Sequence, residues 1–249
     1  MDDIKNYKLP EITLIFWIIK ICATTLGETA GDLFSMTMNI GYAVSSIILI
    51  SIFFVLLFAQ LKAKTFHPFL YWSVILATST AGTTMSDYMD RTLGLGYANG
   101  SAILITILLS IFAIWKLSGY SFSVTNIKSF KAELLYWTAI LFSNTLGTAL
   151  GDYLADDSGL GFGLSALLIS SLIGLTVICH LYTRTSGVVL FWIAFVLTRP
   201  FGATFGDLMT KPIEHGGLDL GTIGSSTVLA SLLIFFIIFN IRKESAYVK

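Results

Sequence analysis

Four aspartates, Asp32, Asp87, Asp152 and Asp207, stand in apolar stretches of the chain at a fixed distance from two other residue types. Trp17, Trp72, Trp137 and Trp192 are each followed ten residues later by Gly27, Gly82, Gly147 and Gly202, and the aspartate comes five residues after that. A charged side chain inside a membrane span costs about 2.5 to 3.5 kcal/mol on insertion scales, so four in one register demand a shared compensation. Oxygen ligands of this kind suit hard cations, or a hydrated cation in transit. The competing reading puts each aspartate at the outer end of its helix, where it caps the next segment or meets water.

Helical geometry says which residues accompany the carboxylates. At about 100° per residue, positions four and seven before each aspartate lie within about 40° of it. Position four carries Glu28, Thr83, Thr148 and Ala203, and position seven carries Thr25, Thr80, Thr145 and Pro200. A polar stripe therefore leads to the carboxylate in three of four repeats. On the same helices a small residue recurs after four positions, pairing Gly27 with Gly31, Gly82 with Ser86, Gly147 with Gly151 and Gly202 with Gly206. Such small-xxx-small spacing lets neighbouring backbones approach closely in lipid.

Two cations also fall inside apolar segments. Arg199 cannot lose its charge and needs an acidic partner. Glu28, at a comparable depth in the first helix, is the candidate, so the two are expected to form a charge pair or gate. Lys20 lies nearer the helix start and is expected to snorkel to the surface or to pair.

The elements that must position these residues follow from composition. With 55% hydrophobic and 12% charged residues among 249, and a mean hydropathy of +0.81, lipid is the expected solvent. Eight apolar runs are legible, at residues 12–30, 40–61, 68–86, 98–117, 133–150, 163–182, 188–205 and 222–241. The polar start lacks the layout of a cleavable signal peptide, so the first helix is expected to stay. We read one membrane domain over 1–249, with repeats at approximately 11–61, 67–117, 131–182 and 187–241.

Each repeat holds two spans, so all copies enter the membrane in one direction. The fold expected is an all-α membrane protein of eight transmembrane helices, as four tandem parallel two-helix repeats around a pseudo-fourfold axis along the membrane normal. Successive aspartates are 55, 65 and 55 residues apart, which groups the repeats in two pairs. Glycines also recur at the start of the second helices, as Gly41, Gly96, Gly161 and Gly221.

Basic residues are unevenly divided, eleven on the side of the termini against Arg91 and Lys211 on the other. The positive-inside rule then places both termini in the cytoplasm. The four tryptophans, near the cytoplasmic helix ends, are expected as interfacial anchors. Cys22 and Cys179 are far apart in apolar segments and are expected as buried apolar residues without a disulfide. His67, His180 and His215 form no cluster. A net charge of zero gives no attraction to nucleic acid, and no nucleophile motif, phosphate loop or redox cysteine pair points to an enzyme.

With its four copies of Trp followed by Gly-x-x-x-Gly/Ser-Asp, the chain resembles a bacterial family of four-repeat integral membrane proteins of unknown function. That family's repeat has two spans and one characteristic tryptophan, here Trp17, Trp72, Trp137 and Trp192. The resemblance implies the fold and leaves the mechanism open. The glycine-acid motifs are also loosely similar to small bacterial cation exporters with acidic residues in repeated helices. The function expected is therefore a small-cation transporter or channel built on the aspartate ring, with a divalent metal such as manganese as first candidate and a proton-coupled cycle compatible with it. No cofactor is expected beyond a bound divalent cation. The partners expected are the lipid bilayer and a small inorganic cation, with the oligomeric state open. A non-transporting membrane scaffold or regulatory anchor is the alternative.

Overall fold

The computed structural model describes residues 9–124, 127 and 129–247, with side chains described as far as residue 243. Eight long helices run in order: α1 (Leu14–Asp32), α2 (Tyr42–Lys62), α3 (Pro68–Asp87), α4 (Tyr97–Leu117), α5 (Phe130–Asp152), α6 (Gly161–Tyr182), α7 (Gly187–Thr210) and α8 (Thr222–Tyr247). Local chemistry fixes several starts. Thr13 and Ser129 cap α1 and α5 by accepting from the amides of Phe16 and Ala132, and Pro68 opens α3 where its missing N–H costs nothing.

The odd helices form a closed inner ring in which α1 packs on α3 and α7, and α5 on α3 and α7. The even helices lie outside. α2, α4 and α6 each pack on the first helix of the following repeat, and α8 closes the circle on α1. The Ser226 hydroxyl donates to Thr29 Oγ1 at 2.9 Å across that closing contact.

Six of the eight helices are long and apolar enough to cross a membrane, all except α3 and α5. Those two have the length, at 20 and 23 residues, but carry Ser79, Thr83 and Ser86, and Ser143, Asn144 and Thr148. All six polar residues are buried, so the ring shields them from lipid. The outer helices instead turn side chains such as Ile47, Phe54, Leu109, Leu167 and Phe235 outward. Eight helices through one layer put both chain ends on one side, here the terminal end, and the aspartates near the other.

After the aspartate, α1, α3 and α5 run into a π-helical turn at Leu33–Thr37, Tyr88–Thr92 and Tyr153–Asp157. Bonds five residues apart close these turns, as from Met38 N to Leu33 O at 2.8 Å. The reversal into the next helix is made by Gly41, Gly96, Gly161 and Gly221, all with φ between 70° and 82°. That conformation explains the recurrent glycine. The fourth repeat departs, since α7 continues without a π-helical turn to Thr210 and a short 3₁₀ turn, Ile213–His215, follows.

Candidate functional site

The ring closes through its small residues, and in one cyclic register. A side chain at Gly27 would strike Ser79; one at Gly82, Thr145 and Asn144; one at Gly147, Arg199 and Pro200; and one at Gly202, Thr24. The second set repeats the pattern a turn later, with Gly31 against Thr83, Gly151 against Ala203 and Gly206 against Glu28. Each repeat thus offers its glycines to the facing helix of the next, and the fourth offers them to the first.

This packing selects the row that faces the axis. A row of every fourth residue is inclined by roughly 26° to its own helix, and glycines spaced by four lay that row along the bundle. Inward-facing levels therefore lie eight, four and zero residues before the aspartate. They hold Thr24, Ser79, Asn144 and Arg199; then Glu28, Thr83, Thr148 and Ala203; then the four aspartates. The hydroxyls at position seven make no bond across the ring among the described residues. The hydroxyls of Thr80 and Thr145 donate to their own helices at Leu76 O and Leu141 O, and Thr25 Oγ1 is buried without a partner among the described residues. Of the stripe expected through Thr25, Thr80, Thr145, Thr83 and Thr148, the last two meet across the ring on Arg199, with Ser79 beside them, and the first three do not.

At mid-depth the expected charge pair is present. Arg199 Nη1 donates to Glu28 Oε2 at 2.8 Å, and their side chains are 0% and 3% exposed. Arg199 Nη2 donates to Thr83 Oγ1 and Thr148 Oγ1, both at 2.6 Å, and approaches Ser79 O at 3.3 Å. Thr83 Oγ1 and Thr148 Oγ1 in turn donate to Glu28 Oε2, both at 3.2 Å. All four ring helices thereby meet in one network on the axis.

The four aspartates are buried at the opposite end and take two cations between them. Arg91 reaches Asp87 at 3.0 Å and Asp152 at 3.3 Å; Lys211 reaches Asp207 at 3.1 Å and Asp32 at 2.6 Å. Arg91 also donates to Tyr42 Oη at 3.2 Å and lies over the Tyr97 ring. Lys211, just beyond α7, is pushed above the ordinary lysine range, because Asp207 and Asp32 outweigh the opposing effect of burial. It therefore stays charged at neutral pH. Asp32, Asp87 and Asp152 end α1, α3 and α5, where the alternative reading put them, but they are buried and make no capping hydrogen bond, and Asp207 lies inside α7.

Oxygens of Glu28, Asp32 and Asp207 come within 4.8 Å of one another, a donor set for a hard cation. The Lys211 ammonium sits at two of the three. Sequence reasoning missed the part of Arg91 and Lys211, although each stands four residues after an aspartate, the spacing at which helical side chains meet.

Three further expectations change. The tryptophans are not interfacial anchors. Trp72, Trp137 and Trp192 are buried and Trp17 half-buried in an aromatic layer that closes the terminal end, where Tyr71 and Tyr136 share a hydrogen bond of 2.7 Å. Trp192 Nε1 donates to Phe122 O, which pins the long central link under α7. Lys20 does not snorkel, and among the described residues it meets no acid; it is fully buried with Nζ 4.1 Å from the centre of the Phe195 ring. Cys22 and Cys179 are free, as expected, but only half-buried.

Neither a curated protein nor a solved structure matches the chain. A family profile matches four segments, residues 15–66, 70–120, 135–186 and 190–246, each holding one Trp, Gly and Asp copy and two helices. Together these segments cover most of the sequence, and the chain belongs to the family described as Repeat of Unknown Function (DUF347).

Proposed function

We propose that this membrane protein carries a small cation, a divalent metal such as manganese first, and that the aspartate end is where the ion binds. One observation supports the reading above the others. Among the described residues the four repeat aspartates, all buried, are bridged by two cations, Arg91 and Lys211, while Glu28 is matched by Arg199, so this ring formally carries two uncompensated negative charges. A buried excess of that sign is costly in lipid and is relieved by a divalent cation or by two protons. Metal uptake coupled to proton release is the cycle this exchange favours. Because Arg199 and the aromatic layer close the axis, the reading is a carrier rather than an open channel. The excess of basic residues beside the termini supports the same reading with those ends on the cytoplasmic side of a bacterial inner membrane.

The test is manganese flux into proteoliposomes for the native chain, Asp152→Asn and Lys211→Gln. Removing a carboxylate should weaken half-saturation and removing the tethered ammonium should tighten it, each by roughly tenfold or more, since charges about 4 Å apart interact by several kcal/mol at intermediate dielectric. Shifts in the same direction, or flux no greater than in empty liposomes, would remove the carboxylates from the mechanism. A non-transporting scaffold is the reading that the closed axis favours. It requires no flux in any of the three.

A further inference from the structure

α7 differs from the other ring helices in its backbone and in its packing, and both differences meet at one residue. Pro200 stands inside the helix where the other repeats carry Thr25, Thr80 and Thr145. It has no N–H for the carbonyl of Val196, and its ring crowds that carbonyl, so the hydrogen-bond ladder is interrupted there. Two lateral cavities of about 650 and 660 Å³ flank the same helix, one shared with α1 and α6, the other with α4. Every α7 residue lining either cavity precedes Pro200, from Gly187 to Thr198 in the first and from Val188 to Leu197 in the second.

Beyond the proline the helix is locked. Gly202 and Gly206 lie against Thr24 and Glu28 of α1, and Lys211 bridges Asp207 to Asp32. We infer that the segment of α7 from Gly187 to Arg199 is the moving part of the molecule, swinging about Pro200 into a flanking cavity and drawing Arg199 off Glu28. Close-packed protein resists such a displacement, whereas fluid acyl chains filling a lateral cavity yield to it. The swing also takes Phe195 from Lys20 and opens the axis from the terminal end, while the aspartate end keeps its bridges. The purpose of the motion rests on the transport reading; the motion itself does not.

Hydrogen exchange of the whole protein in phosphatidylcholine nanodiscs tests this without an ion. Amides of residues 187–199 should exchange about tenfold or more faster than those at the matching positions of α5, residues 132–144. Pro200→Thr, which restores the residue type of the other repeats, should bring the two segments together. Equal exchange in the native chain, or a difference that survives Pro200→Thr, would overturn the inference. Fast α7 exchange without ion flux would remove the transport reading and leave the moving helix standing. Flux with equal exchange would do the reverse.

Discussion

Replacing Arg199 by Gln removes the positive half of the axial network and leaves a carboxylate with a side-chain exposure of 3% behind. Losing one partner of a buried pair costs about 3–5 kcal/mol, because the remaining charge stays desolvated. Thr83 and Thr148, each 3.2 Å from Glu28 Oε2, still donate to it and soften the loss. The expected cost of Arg199→Gln is therefore near the low end, about 3 kcal/mol. Glu28→Gln should cost a similar amount, since Arg199 keeps only the neutral acceptors Ser79 O, Thr83 and Thr148. In the double variant no charge is stranded, and two amides can bond each other and both hydroxyls. The combined cost should then fall short of the sum by about 2–4 kcal/mol, which equilibrium steric trapping in bicelles can read as a double-mutant cycle. Additivity within about 0.5 kcal/mol would refute the pair as an energetic unit.

The glycine register gives a paired comparison. Gly147→Ala drives a methyl into Arg199 and Pro200 and should destabilise by about 1–3 kcal/mol, whereas Gly174→Ala on α6 meets nothing within 4 Å and should be neutral or stabilise by up to about 1 kcal/mol; equal effects on unfolding would discredit the ring contacts. For orientation, Ser158→Cys should react with a membrane-impermeant maleimide on intact cells and Thr185→Cys only after permeabilisation. The opposite pattern would place the termini outside.

The spans, the repeats and the Arg199–Glu28 pair were legible because each follows from a one-dimensional rule. Apolar runs of about 20 residues identify spans, and a guanidinium in lipid must find an acid. The facing row was not legible, because position seven is the closer angular match on an isolated straight helix. Only the contact of Gly27 with Ser79, and its cyclic repeats, shows that the row of fours runs along the axis instead. The tryptophans misled for a related reason. An indole near a helix end is as compatible with a closed aromatic layer as with a headgroup, and ring closure decides between them. Lys20 is buried because Phe195, from a helix 175 positions along the chain, arrives over its ammonium.

Fourfold symmetry is kept where only backbone contacts matter and is lost wherever a large side chain must sit on the axis. A ring of four close helices has a single axial position at each depth, too narrow for four long side chains. Arg199 and Glu28 meet each other there between Thr83 and Thr148, and the other repeats carry only smaller residues in their registers, Thr24, Ser79 and Asn144 in that of Arg199 and Thr83, Thr148 and Ala203 in that of Glu28. At the aspartate end the cations escape this limit by sitting between neighbouring helices, Arg91 between α3 and α5 and Lys211 between α7 and α1. Both come from even-numbered repeats, four residues after their aspartates, where the odd-numbered repeats carry Met36 and Asp156. The charge pattern there repeats every second copy, as the 55, 65 and 55 spacing of the chain does. A ring bridged at every second copy over a plug of one arginine and one glutamate gives two bridged pairs of carboxylates, of which Asp32 and Asp207 also have Glu28 within 4.8 Å, and a single obstruction. It follows that loss of the Lys211 bridge, which frees a set of three carboxylates, should tighten ion binding more than loss of the Arg91 bridge, whereas nothing elsewhere in the repeats can substitute for Arg199.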